Sequence, residues 1–66
     1  MKADLVEVSR DEQKNKWLVR IKIGEEVIRR YSSERKEADP ASLRSAAVQI
    51  AAEEGYAADP ADVVIR

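Results

Sequence analysis

Between Trp17 and Ile23 the chain reads Trp-Leu-Val-Arg-Ile-Lys-Ile, with an apolar side chain at every odd position. A two-residue period suits a strand that buries one face, because successive side chains of a strand point to opposite sides. Gly24-Glu25 follows at once. Glycine adopts positive φ without a Cβ clash, which the first central position of a type II′ hairpin turn requires. The chain then returns as a second strand over residues 26 to 32. An even loop length sets the facing: Trp17, Val19, Ile21 and Ile23 share a side with Glu26, Ile28 and Arg30. Upstream, residues 4 to 9 also alternate, and a six-residue polar loop, 10 to 15, brings Val6 and Val8 to that same side. Two independent loops agree on one buried face, which predicts a three-stranded antiparallel meander.

Residues 33 to 38 form a charged connection, after which Asp39-Pro40-Ala41-Ser42 signals a helix start, with a capping carboxylate and proline at the first helical position. Leu43, Ala46, Ala47, Ile50 and Ala51 recur at helical spacing, a narrow apolar stripe suited to close packing on a sheet. Gly55 ends the helix at the C′ position, with Tyr56 placed to complete a Schellman cap. Glu53 and Glu54 break a local rule, putting negative charge at the negative end of the helix dipole with no basic residue nearby in sequence. Asp59-Pro60-Ala61-Asp62 repeats the turn chemistry of residues 39 to 42, and Val63-Val64-Ile65 reads as a short closing strand. The expected architecture is β-β-β-α-β: one α+β domain over residues 1 to 66, with the helix packed on one face of a small sheet.

The chain's 66 residues can build one hydrophobic core of modest stability, as a monomer or a homodimer. Cysteine and histidine are both absent. That removes disulfides, thiolate chemistry, zinc clusters and the commonest general base. A non-catalytic protein without cofactor or metal is therefore expected. No apolar run suits a signal peptide or a membrane span, so the expected setting is the cytoplasm. The formal charge of −1 conceals a division: residues 1 to 36 hold ten Lys/Arg against seven Asp/Glu, and residues 37 to 66 hold two against six. Only the first half offers a local basic surface.

Strand pairing places that surface on the outer side of the sheet, where Leu18, Arg20, Lys22, Val27, Arg29 and Tyr31 gather with Leu5 and Glu7 alongside. Arg20 falls opposite Arg29 with a two-residue loop, or one pair away with a four-residue one, and like charges facing each other destabilise a sheet. Leu18, Arg20, Lys22, Arg29 and Tyr31 are the candidate partner-binding residues. An acidic protein surface or a nucleic-acid backbone would meet such a face. Three other constellations read as structural. Asp39, Ser42 and Ser45 at the helix start are better explained by capping than by phosphate binding, since a carboxylate repels an anion and no glycine-rich loop precedes it. Glu53, Glu54, Asp59 and Asp62 match no metal-ligand spacing and read as solvated charge, with an acidic patch that contacts a partner's basic groove as the alternative for the same residues. Trp17, alternating with Val19 and Ile21, reads as core.

The succession of a Trp-led strand, a Gly24 turn, a second strand, an alanine-rich helix from Leu43 to Ala51, Gly55 and Val63-Val64-Ile65 resembles small bacterial and phage modules. HicB-like antitoxin domains and compact anti-CRISPR proteins are of this kind. The likeness runs from Trp17 onward and carries no functional motif. It implies an adaptor or inhibitor that docks on a larger protein or ribonucleoprotein assembly, such as a phage-encoded inhibitor of a host defence complex. The alternative expectation is a weak nucleic-acid-binding module using the same basic face.

Overall fold

A computed structural model describes residues 1–66 and contains β1 (Leu5–Asp11), β2 (Lys16–Ile23), β3 (Glu26–Ser32), α1 (Pro40–Glu53), a single 3-10 turn (Pro60–Asp62) and β4 (Val63–Ile65). The strands form one mixed sheet in the order β3-β2-β1-β4, antiparallel through the meander and parallel between β1 and β4. The α+β class and the three-stranded meander are as expected. β4 runs in the same direction as β3 but lies at the opposite edge, so α1 is a crossover that carries the chain over the sheet.

Facing follows from register. Across the β2–β3 hairpin Ile23 pairs with Glu26, Ile21 with Ile28, Arg20 with Arg29, and Leu18 with Tyr31. Gly24 has a φ of 59°, while Glu25 is not among the positive-φ residues, a combination that makes the turn type II′. The β1–β2 loop is shorter than expected. The strands extend to Asp11 and Lys16, leaving four residues, Glu12 to Asn15, in the turn. Asp11 tightens it by accepting from the backbone N–H groups of Gln13 (3.1 Å) and Lys14 (3.2 Å), a local alternative that the polar sequence did not reveal. Because four and six are both even, Val6 and Val8 still face inward.

The inner face and α1 enclose a core of Val6, Val8, Val19, Ile21, Leu43, Ala47, Ala51 and Val63. Ile21, Ala47 and Ala51 are wholly buried. Alanine at the last two positions lets the helix backbone approach the sheet, and burying each larger aliphatic side chain contributes roughly 1.5–3 kcal/mol. Trp17 packs on the rim of this core, with its indole N–H donating to the Arg35 carbonyl at 2.8 Å and the Arg10 guanidinium 5.4 Å from its ring. Capping holds both ends of α1. The Asp39 carboxylate accepts from the Ser42 N–H at 2.9 Å. At the other end Tyr56 N–H bonds Ala51 O (2.9 Å) and Gly55 N–H bonds Ala52 O (3.0 Å), a Schellman pair with Gly55 at a φ of 91°. Asp59 repeats the Asp39 device on the 3-10 turn, accepting from Ala61 N–H at 2.9 Å ahead of Pro60. No helix is long and apolar enough to cross a membrane.

Candidate functional site

One side of the sheet is covered by α1 and the other by nothing. On the open side, adjacent strands set side chains in rows: Val27, Lys22 and Leu5; then Arg29, Arg20, Glu7 and Val64; then Tyr31, Leu18 and Ser9. All five candidate residues, Leu18, Arg20, Lys22, Arg29 and Tyr31, therefore stand together on this face. Four large hydrophobic side chains in the chain are exposed, and three of them, Val27 (40%), Tyr31 (39%) and Val64 (39%), belong to it. The fourth is Met1.

The basic residues differ in how the chain itself uses them. Arg20 lies 3.5 Å from Glu7, whose carboxylate is nearly buried and also receives Arg66 from the end of β4. Arg20 is thus anchored within the sheet. Lys22 and Arg29 are exposed and make no ion pair. Arg29 is held directly opposite Arg20, so the fold tolerates a like-charge cross-strand pair there. A depression of about 450 Å³ beside these side chains is lined by Leu5, Glu7, Arg20, Lys22, Val27 and Arg66.

Tyr31 is less free than its exposure implies. Its hydroxyl donates to Asp11 Oδ2 at 2.9 Å, reaching across β2 to the end of β1, and Lys14 lies 5.8 Å from its ring. That bond holds the Asp11 carboxyl below the usual carboxylate value and raises the Tyr31 phenol above its own. The tyrosine ring is a fixed wall at one end of the face. Asp11 also adds a negative charge there, which the sequence reading had not placed beside the tyrosine.

The other constellations resolve into structural roles. Asp39 caps α1, and its carboxyl is held below the ordinary value, first by the Ser42 side chain and then by the Ser42 backbone N–H. Glu53 and Glu54 correct the sequence reading: they do have a basic partner, because Arg30 reaches from the inner face of β3 and pairs with both, at 3.2 Å to Glu53. Parity had already put Arg30 on the helix side of the sheet. What sequence did not reveal was that the helix would end above it, since that depends on the crossover path of α1.

No family model matches the chain, and no curated protein or solved structure matches it either.

Proposed function

We propose that this chain is a non-catalytic binding protein, an adaptor or inhibitor that docks on a larger protein or assembly through the open face of its sheet. One observation carries the reading: Lys22 and Arg29, exposed and without ion partners, stand among Val27, Tyr31 and Val64 on the face that nothing in the chain covers. Unpaired cations mixed with exposed aliphatic side chains fit a protein surface that is itself acidic and partly apolar. A nucleic-acid groove asks for stacking platforms, and the sole aromatic on this face is tied to a carboxylate. The lack of cysteine and histidine, and the use of carboxylates in caps and ion pairs, support a role without chemistry.

Arg20 is unsuited to a charge-reversal test, because a glutamate there would face the nearly buried Glu7. Lys22→Glu combined with Arg29→Glu avoids that. Quantitative co-purification from the native host, with and without nuclease, should show a set of proteins held by the wild type and lost by the double variant while circular dichroism is unchanged. Equal capture by both would remove this face from consideration. Capture that vanishes with nuclease would instead support the nucleic-acid reading.

A further inference from the structure

The open face ends at β3, and β3 is an uncovered edge. Ile23 and Glu26 close the two-residue turn, so they form a hydrogen-bonded pair, and the pairs alternate from there. Ile28, Arg30 and Ser32 consequently turn their backbone groups toward β2. Val27, Arg29 and Tyr31 turn theirs outward, and no backbone or side-chain partner elsewhere in the chain meets them. The edge is protected only by charge, Glu26, Arg29 and the inward Arg30 that pairs with Glu53 and Glu54: the strand runs seven residues in continuous register, without proline or bulge. On its inner side the helix meets the edge at one end, where Arg30 pairs with Glu53 and Glu54, and stands off from it elsewhere. A groove of about 600 Å³ lies between β3 and α1, lined among others by Ser32, Ser42, Ser45, Gln49 and Ile50. A fifth strand beside β3 would find room there for the side chains on its inner face.

We propose that β3 accepts an extended, acidic segment of the partner protein as an added strand, with a carboxylate set beside Arg29 and small side chains entering the groove against α1. This rests on the docking reading above and specifies its mode. Charge selects the occupant. In the antiparallel register that pairs all three free residues with those of a second copy, Arg29 would face its own counterpart, a like-charge contact that disfavours self-pairing. A carboxylate at the same position forms a charge-assisted contact with a guanidinium that has no other ion partner. The backbone groups supply affinity and the alternating side chains supply selectivity.

The probe is a synthetic octapeptide alternating glutamate and threonine, with a twin of equal charge N-methylated on one backbone edge and a second twin methylated on the other. Each is titrated into the full ¹⁵N-labelled chain. Binding of the parent peptide should slow amide exchange at Val27, Arg29 and Tyr31 by about tenfold or more. Methylation on the pairing edge should weaken affinity by about the same factor, as the loss of several hydrogen bonds implies. Val27→Pro, which removes an outward N–H but none directed at β2, should have the same effect on the wild-type peptide. Equal binding by all three peptides, with shifts on the outer face, would overturn strand addition while leaving docking by that face intact. Absence of binding by the parent peptide would also overturn it, and the co-purification of the double variant decides the docking reading separately.

Discussion

Arg29 faces Arg20 across the β2–β3 ladder, and a like-charge pair in that position destabilises a sheet. Arg29→Glu should therefore raise the thermal midpoint, by the equivalent of about 0.2–1 kcal/mol, while weakening partner capture. Calorimetry beside co-purification reads both, and a drop in stability would show that Arg29 serves the fold instead. Arg30 behaves in the opposite way. Arg30→Gln leaves Glu53 and Glu54 unpaired at the negative end of α1, and because all three side chains are partly exposed the cost is modest, about 0.5–1 kcal/mol. A lower urea midpoint at unchanged slope is the expected result. Asp11 and Asp39 have carboxyls held below the ordinary value near 3.8, by Tyr31 and by Ser42 respectively. Their stabilising contribution is complete above that value and is lost as pH falls through the depressed ones. Tyr31 has the reverse sign: its phenol is raised above 10.0 by Asp11, so its share is present below 10.0 and is lost as pH rises through the raised value. Asp11→Ala should bring the Tyr31 ring titration, followed by ¹³C NMR, down toward its ordinary value.

Elements whose signals are local were legible in the sequence. Alternation at Trp17–Ile23, the Gly24 turn, the Asp39-Pro40 start and the Gly55 stop each depend on neighbours a few residues away, and each appears in the structure. The candidate face was legible for the same reason, since parity and two even loops were enough to gather Leu18, Arg20, Lys22, Arg29 and Tyr31. What escaped depends on distant partners. β4 has three residues with no pattern to say that it pairs parallel with β1, and the bridge between Lys2 and Ala57 joins opposite ends of the chain. The Tyr31–Asp11 bond spans three strands and needs the exact end of β1, which the six-residue loop had misplaced. Alanine in the α1 stripe makes a quantitative expectation. Ala47→Leu forces extra methylenes into a wholly buried contact and should cost about 1–3 kcal/mol, whereas Ala52→Leu on the exposed side should be nearly neutral. Equal effects in chemical denaturation would contradict the packing of α1 on the sheet.

At the scale of the whole molecule, eight buried apolar residues carry the core, and α1 is the only element available to cover the sheet. One helix covers one face. The other keeps three exposed apolar side chains and two unpaired cations, beside an edge strand with free backbone groups, and the docking proposal follows from that division. The most direct measurement is site-specific photo-crosslinking in the native host, with a benzophenone side chain at Val27 on the open face or at Ala52 on the exposed side of α1. The docking account predicts a protein adduct from position 27 and none from position 52; adducts from position 52 alone would contradict it.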